Sequence, residues 1–390
     1  KGSINNAGYK RIGLYSNGKA VFKFVHRMVM ETFSPCANSD DLIVNHKDGN
    51  KLNNNLDNFE WCTTKENAEH ARDILKISYN TENAHEARKI KINVLNENKE
   101  VVQKEVREIT WDVEAASKGG FDSFMAKEIY EQPTAIRETL GAKLNENTKC
   151  DFEELDFTKE YLCGLRKIYL VACGTAMHAG LVAKNILEKL CKIPTEVDIA
   201  SEFRYRDPII DDKTLCIFIS QSGETADTIA ALKLSREKRA KTLAISNVIG
   251  SSITREADYS IYTHAGPEIA VASTKAYTSQ VALLSILAIY FAEILESTPI
   301  FELKDIKSEI LKLPTKVENS LKSSKRIEAF AKNIYQEKDV FFLGRGVDYN
   351  SALEGSLKLK EISYIHSEAY AAGELKHGPI ALIEPGSLVI

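Results

Sequence analysis

The stretch that decides the fold is LCIFISQSGET, at residues 215–225. Its first five residues are apolar without interruption, which predicts a strand buried on both faces. The polar end holds three hydroxyl side chains, an amide and a glycine, and residues 227–237 have the pattern of a helix. A strand that passes through such a loop into a helix is the unit of a parallel α/β sheet, and ligands bind at the carboxyl ends of its strands.

Similar strand–loop–helix units lie on either side of this stretch. Residues 168–172 are apolar, pass through a small loop at residues 173–175 and enter a helical pattern that runs to Leu190. Residues 242–245 add a third buried strand. The repetition predicts an α/β fold whose parallel sheet is covered by helices on both faces, and we expect this first domain to span residues 141–300.

A second copy of the unit follows. Residues 340–343 form an apolar run, Gly344-Arg345-Gly346 make a small loop, and residues 349–365 have the pattern of a helix. The copy runs to residues 387–390, which have the pattern of another apolar strand. We therefore expect a second, truncated domain of the same fold over residues 301–390.

The first part of the chain differs in its amino-acid composition and pattern. Residues 1–88 are rich in Asn, Lys and short turns. Asn17-Gly18 joins two alternating runs, residues 9–15 and 20–25, which is a strong signal for a β-hairpin. We expect a small separate domain here, joined to the α/β part by a connector over residues 89–140.

The net charge, the composition and the cysteine pattern exclude several classes of protein. The 390 residues carry a net charge of −4 with 44% apolar and 27% charged residues, which argues against a generally basic nucleic-acid coat. The longest apolar run, residues 281–295, is short for a bilayer span, so we expect a buried core helix and no membrane association. Seven cysteines without a C-x-x-C pair predict reduced thiols and, with no apolar leader, a cytoplasmic protein.

The polar loop after the first quoted strand suits a phosphate. Its hydroxyls, Gln221 and the backbone N–H groups of a helix start are donors for a dianion, and Gly223 permits close approach. The loop holds no lysine, which excludes a nucleotide cradle of the Walker type and favours a sugar monophosphate. The alternative, from these residues alone, is a helix N-cap without a ligand.

Longer strings carry a resemblance to known proteins. The loop SQSGET resembles the phosphate loop of SIS (sugar isomerase) domains. Three further strings resemble the glutamine–fructose-6-phosphate aminotransferase family: GSLKLKEISYIH at 355–366, AAGELKHGP at 371–379 and AVASTK at 270–275. The resemblance covers the chain from about residue 89 onward. It implies SIS-type parallel sheets, with fructose 6-phosphate and glucosamine 6-phosphate as ligands in amino sugar synthesis.

The resemblance implies three catalytic residues. Glu361 would be the base that moves a proton between C1 and C2 of the open sugar. Lys358, three residues earlier on the same helix face, would be a cation beside the developing negative charge. His377 would open the sugar ring, and it reaches the sugar from the neighbouring subunit, so we expect a homodimer through the SIS domains. No cofactor is implied for this part.

The resemblance also implies a set of ligand contacts. The phosphate contacts are five polar residues: Thr175, Ser220, Gln221, Ser222 and Thr225. Val271 and Ser273 match positions that contact the sugar. Ala176 stands where the family often has a serine, and the loss of that one hydroxyl contact would cost about 0.5–1.5 kcal/mol of affinity.

Two parts of that family find no match in these residues: the glutaminase domain, with its nucleophilic cysteine, and the C-terminal tail with its lysine. We therefore expect sugar-phosphate binding with incomplete activity, and not ammonia transfer from glutamine. A non-catalytic SIS protein that only binds sugar phosphates is the alternative. Glu361 and His377, each in its full motif, weigh against it.

Residues 1–88 resemble an HNH homing-endonuclease module. The resemblance rests on three strings: FVHRMV at 24–29, VNHKDGN at 44–50 and NNNLDNFEWCT at 53–63. It implies His46 as the general base that activates water, and Asn45 and Asn58 as oxygen ligands of one Mg²⁺ or Mn²⁺.

Charge and composition leave two interpretations of that module open. Residues 1–33 carry six basic side chains against one acidic side chain, which suits contact with a DNA backbone through residues 1–88. Asn45 stands where related enzymes often have aspartate, so the ligand set lacks one charge. The module is either a DNA endonuclease that interrupts a host gene or an inactive remnant of one.

Overall fold

A computed structural model describes residues 3–4, 10–16, 19–34, 42–48, 53–63, 94–95, 101–102 and 117–390. The chain divides into two compact units, residues 1–106 and 107–390, which we call unit 1 and unit 2. The boundary predicted at residue 88 lies outside the described residues.

The described residues of unit 1 form short antiparallel sheets and one α-helix. Its elements are β1 (Ser3–Ile4), β2 (Lys10–Ser16), β3 (Lys19–Phe24), α1 (Val25–Phe33), β4 (Ile43–His46), β5 (Phe59–Cys62), β6 (Val94–Leu95) and β7 (Val101–Val102). In the first sheet β2 lies between β1 and β3, and Ser16 pairs with Lys19. That register leaves a connection of two residues and confirms the hairpin predicted around Asn17-Gly18.

The described core of unit 1 lies between α1 and the pair β4–β5. Met30 and Phe59 are buried there, together with two histidines. The rings of His46 and Phe59 meet edge to face at 4.9 Å between centroids, and those of His26 and His46 at 5.2 Å. His26 and Met30 are four residues apart, which places both on the inner face of α1.

Unit 2 is built on a parallel sheet of five strands. They are β8 (Lys167–Ala172), β9 (Thr195–Ile199), β10 (Thr214–Ser220), β11 (Lys241–Ser246) and β12 (Tyr259–Tyr262), in the spatial order β12-β11-β10-β8-β9. All four neighbouring pairs are parallel. The three central strands are the predicted apolar runs, and every residue of β10 is buried. The predicted fold class is therefore confirmed.

Helices cover both faces of this sheet and continue beyond it. They are α2 (Phe124–Leu140), α3 (Lys159–Gly164), α4 (Thr175–Cys191), α5 (Ala200–Phe203), α6 (Ala226–Glu237), α7 (Ser252–Glu256), α8 (Lys275–Leu295), α9 (Ile300–Leu311), α10 (Leu313–Leu321) and α11 (Ser324–Ile334). By length and composition α8 would suffice to cross a membrane, but 67% of its apolar window is buried inside the protein. Its burial is that of a core helix, as residues 281–295 predict.

The main core extends past the domain boundaries expected from sequence. Ile136 and Leu140 of α2, in the predicted connector, are buried in the same cluster as the sheet and α8. Leu303 and Ile310 of α9, placed by prediction in the second domain, belong to that cluster as well. Both helices bury an apolar face that would otherwise be exposed, so they are structural parts of the first domain.

A second, smaller parallel sheet follows. It contains β13 (Asp339–Gly344), β14 (His366–Ala371) and β15 (Leu388–Val389) in the order β14-β13-β15, and α12 (Val347–Ser363) connects the first two. The strand and helix predicted here are confirmed within two residues. Asn350 of α12 donates a hydrogen bond of 2.9 Å to the Leu181 carbonyl of α4, which ties the second sheet to the first domain.

Candidate functional site

The predicted phosphate loop lies between β10 and α6. Ser220, the last residue of β10, accepts the Gly223 N–H at 3.1 Å and lies 3.2 Å from the Thr225 hydroxyl. Gly223 has a φ of +67°, and a Cβ at this position would collide with the side chain of Ser251. Only glycine satisfies both conditions, because it alone adopts that φ without strain and has no Cβ.

Two contacts fix this loop to α7. The Glu224 carboxylate accepts the backbone N–H of Ser252 at 2.7 Å, and the Gly223 carbonyl accepts the N–H of Ile253 at 3.0 Å. The hydrogen bonds from Ser252, together with the nearby Arg255 guanidinium, hold the pKa of Glu224 below its usual range. The loop is therefore fixed by hydrogen bonds within the protein.

A small cavity of about 180 Å³ opens at the carboxyl ends of β8 and β10. Six residues predicted to contact the ligand line it: Thr175, Ser220, Gln221, Ser222, Thr225 and Ser273. Ala176 also lines it, so the position where the family often has a serine does face the cavity. The seventh predicted residue, Val271, has a fully exposed side chain and is not among the lining residues.

A larger cavity of about 750 Å³ lies at the other end of α8. Glu293, Ser297 and Lys304 are among its lining residues, and it contains none of the predicted contacts. The volume of a cavity does not indicate its chemistry. The small cavity, in contrast, is lined by hydroxyl groups and helix N-termini. We therefore take the small cavity as the functional site.

A buried carboxylate, Glu354 of α12, connects this cavity to the predicted catalytic residues. It is 6% exposed; its Oε1 accepts the Thr175 hydroxyl at 3.0 Å, and its Oε2 lies 2.7 Å from Nδ1 of His178. The Lys358 ammonium lies 3.5 Å from Glu354 and 2.6 Å from Glu361. Burial, followed by the charge of Glu354, raises the pKa of Tyr277 to about 12.

Sequence reasoning missed Glu354, although a signal existed. Glu354, Lys358 and Glu361 follow one another at intervals of four and three residues, so they share one face of a helix. A carboxylate in line with two predicted catalytic residues was detectable from that spacing. Its partners Thr175 and His178 were not, because they come from a helix about 180 residues earlier in the chain.

Lys358 and Glu361 lie at the open side of this arrangement. Their side chains are 17% and 33% exposed, so a ligand can reach both. The lysine lies between the carboxylates of Glu354 and Glu361. The roles of Glu361 as a base and of Lys358 as a cation beside it stay predictions.

His377 lies apart from the cavity in this single chain. It ends a short 3-10 helix, Leu375–His377, where its backbone N–H donates to the Glu374 carbonyl at 2.9 Å. Its side chain is exposed and is not among the residues that line the cavity. Action of His377 in a neighbouring subunit therefore stays a prediction.

Carboxylates position the segment that carries Ser273. Glu268 accepts the Ser273 hydroxyl at 2.9 Å and the backbone N–H groups of Thr274 and Ala276, which caps the start of α8. Glu128 of α2 accepts the N–H of Ile269 at 2.6 Å. The connector helix therefore holds the cavity wall directly.

The predicted nuclease residues lie on β4 and in the loop before β5. His46 is buried at the end of β4 against Phe59. The Asn45 amide donates to Glu60 at 2.6 Å. The Asn58 amide donates to Asp48 at 2.9 Å and to the Asn53 carbonyl at 3.0 Å, and its Oδ1 accepts the Asp48 N–H at 3.0 Å.

The contacts of Asn58 hold its loop together. Both ends of its amide are engaged, and its oxygen accepts a hydrogen bond from the backbone of Asp48. A shared Mg²⁺ or Mn²⁺ would need the oxygens of Asn45 and Asn58 directed at one point, so their role as metal ligands stays a prediction.

Known proteins match both units. The SIS domain family matches residues 162–290 and 333–390, and the HNH endonuclease family matches residues 23–69. Glutamine–fructose-6-phosphate aminotransferase (isomerizing) of Clostridium perfringens is 56% identical over 299 residues, which is 77% of this chain and 49% of that protein. The Clostridium tetani protein of the same name is 56% identical over 289 residues, 74% of this chain and 48% of that protein.

A solved structure agrees with these matches. The C-terminal domain of glucosamine-fructose-6-phosphate aminotransferase from Francisella tularensis superposes with a TM-score of 0.67 at 42% identity, covering 70% of this chain and 76% of that one. The chain spans about half the length of the curated relatives it matches. With the SIS sheets, the phosphate loop and this level of identity, the chain belongs to the glutamine–fructose-6-phosphate aminotransferase family.

Proposed function

We propose that unit 2 binds fructose 6-phosphate and serves as the sugar-phosphate isomerase part of a cytoplasmic glucosamine 6-phosphate synthesis. The observation that carries this proposal is the convergence of six predicted contacts on one cavity at the carboxyl ends of β8 and β10. The names of the relatives support the same substrate.

The proposed chemistry begins with the phosphate. Hydroxyls of Ser220, Ser222 and Thr225 and the N-terminus of α6 receive the dianion, which anchors C6 of the sugar. The reacting carbons C1 and C2 then extend toward Lys358 and Glu361. Because the anchor fixes their distance from the base, proton transfer becomes an intramolecular step.

The catalytic steps follow from the charges of α12. Glu361 removes a proton from C1 of the open sugar and returns it at C2, and Lys358 stabilises the negative charge that develops between the two transfers. His377 from the neighbouring subunit of a homodimer opens the sugar ring. Glu354 acts as a positioning residue, since it holds both Thr175 and Lys358.

The binding part of the proposal is tested by titration of the full chain with fructose 6-phosphate. The double variant Ser222→Ala with Thr225→Ala removes two hydroxyl donors. We expect affinity to fall by at least about 100-fold, because bonds to a charged group each contribute about 1.5–3 kcal/mol. Ser320→Ala, at an exposed hydroxyl of α10, is the matched control. Equal affinity in the wild type and the double variant would show that the loop is not the phosphate site.

The same preparations separate an isomerase from a passive binder. Conversion of fructose 6-phosphate to glucose 6-phosphate that is lost in Glu361→Gln, while binding is kept, supports the isomerase. Binding without conversion in the wild type would favour the alternative, a non-catalytic SIS protein that only binds sugar phosphates.

DNA cleavage by unit 1 is a second candidate function. It rests on the match of residues 23–69 to HNH endonucleases and on the position of His46 at the end of β4. The measurement is nicking of supercoiled plasmid with Mg²⁺ or Mn²⁺ added. Nicking that disappears in His46→Ala supports an endonuclease, and no nicking by the wild type supports an inactive remnant.

A further inference from the structure

Gln280 is a cavity residue to which the proposed chemistry gives no task. It lies in the second turn of α8 and lines the small cavity with the phosphate loop. Its side chain is 2% exposed, and within residues 117–390 its Oε1 has no hydrogen-bond partner. The amide oxygen of Gln280 is buried without a partner, which costs free energy, so packing alone does not explain why an amide occupies this position.

The surroundings of Gln280 indicate which part of a ligand it meets. Ile219 and Ser220, at the end of β10, line the same cavity, as do Thr225 and Thr228 at the start of α6. These residues belong to the strand end and the helix N-terminus that flank the predicted phosphate loop. Lys358 and Glu361, which would act on the sugar carbons, lie on the partly exposed face of α12.

The chemistry of a primary amide fits that position. A half-turn about the last side-chain bond exchanges its carbonyl and its NH₂, so either end can face the cavity. A phosphate dianion accepts hydrogen bonds and donates none. The NH₂ end is therefore the one that such a ligand selects.

We propose that Gln280 is a further phosphate-binding residue that donates an amide hydrogen to a phosphoryl oxygen. The inference rests on the proposed function of unit 2 and adds a donor from α8, on a different element from the phosphate loop. It binds the phosphoryl group between two elements, and the group stays in place while the sugar end reacts.

The neighbouring residue provides a matched control. Ser279 is completely buried one position earlier on α8, and its Oγ also has no hydrogen-bond partner in the described part of unit 2. It does not line the cavity. Ser279→Ala therefore removes a polar atom of the same kind from the same helix without touching the ligand.

The test measures affinity and stability together. In the full chain, Gln280→Met keeps an unbranched side chain of similar size and removes the donor. We expect it to weaken both fructose 6-phosphate, measured by calorimetry, and inorganic phosphate, measured by ³¹P NMR, by about 10-fold, which equals about 1.4 kcal/mol. The Tm of the ligand-free variant should be unchanged or higher, because the amide oxygen has no protein partner to lose. Ser279→Ala should bind both ligands as the wild type does.

Several outcomes would overturn the inference. If the wild type binds and Gln280→Met binds both ligands equally well, Gln280 is not a ligand. If only fructose 6-phosphate is weakened, the amide contacts the sugar and not the phosphate, and a clear fall in Tm of the ligand-free variant would assign Gln280 to packing.

A second variant covers the case in which Gln280→Met does not fold. Gln280→Glu keeps the shape and replaces the donor by an acceptor, so phosphate binding at neutral pH should be lost. Unchanged phosphate binding in this variant would also overturn the inference. If the wild type itself binds neither ligand, the proposed function has failed, and this inference fails with it.

Discussion

At the scale of single residues, the arrangement around Glu354 links the predicted phosphate site to the predicted catalytic residues. One carboxylate accepts from Thr175 in the cavity, contacts His178 of the same helix and attracts Lys358 on α12. A buried carboxylate is stable only when such partners replace water. The three contacts therefore depend on one another through Glu354.

Removal of this carboxylate should be costly. We expect Glu354→Ala to lower the free energy of unfolding of unit 2 by about 2–4 kcal/mol, because the Thr175 hydroxyl, the buried His178 ring and the Lys358 ammonium lose their partner. Fructose 6-phosphate affinity should fall as well, since the Thr175 hydroxyl is no longer oriented. Urea unfolding followed by circular dichroism, together with titration, measures both effects.

The control for this prediction is another glutamate on a helix with a lysine four residues later. Glu328 pairs with Lys332 at 2.7 Å on α11, where both side chains are exposed. Exposed pairs of this kind contribute about 0–1 kcal/mol, so Glu328→Ala should change stability little. Equal losses of stability in the two variants would mean that Glu354 contributes no more than an exposed ion pair does.

At the scale of helices and strands, burial decides how much of the fold could be predicted. The strands β8, β10, β11 and β13 were predicted within one residue at each end, because each is a continuous apolar run. The edge strands β9 and β12 were not, since each pairs with one neighbour only and most of its side chains remain at least partly exposed. An edge strand has no uninterrupted apolar pattern to detect.

The candidate site, too, could be predicted only in part. Ser220, Gln221, Ser222 and Thr225 were predicted because a phosphate loop is local in sequence, and one strand end and one helix start are sufficient to build it. The role of α2 was not predictable. Its Glu128 carboxylate accepts hydrogen bonds from the segment that follows Glu268, which lies more than 140 residues further along the chain. Such a contact exists only once the helices have packed.

At the scale of the whole molecule, the two units differ in how they are stabilised. Unit 2 contains two large apolar clusters, one on each face of its main sheet. The described core of unit 1 is small and contains two histidine rings among its few buried side chains. A small core with titratable groups makes a domain sensitive to pH.

The sensitive group is His26. Burial, followed by the charges of His46 and Arg27, lowers its pKa from 6.5 to about 4. The folded unit therefore keeps the ring neutral, whereas the unfolded chain takes up a proton near pH 6.5. Between those two values the unfolded state binds more protons, so stability is highest above pH 6.5 and falls as the pH drops toward 4.

The direction of this pKa shift predicts how the stability of unit 1 responds to acid. The shift sets a ceiling of about 3 kcal/mol, and partial screening by solvent reduces the expected loss of stability of unit 1 to about 1–2 kcal/mol between pH 7 and pH 4. Trp61, whose Nε1 donates to the Ser34 carbonyl at 2.8 Å, reports unfolding of unit 1 by fluorescence in a Trp111→Phe background. His26→Phe keeps an aromatic ring and removes the titration, so its stability should vary less with pH. A pH profile of the same steepness in this variant would mean that other groups control the acid sensitivity of unit 1.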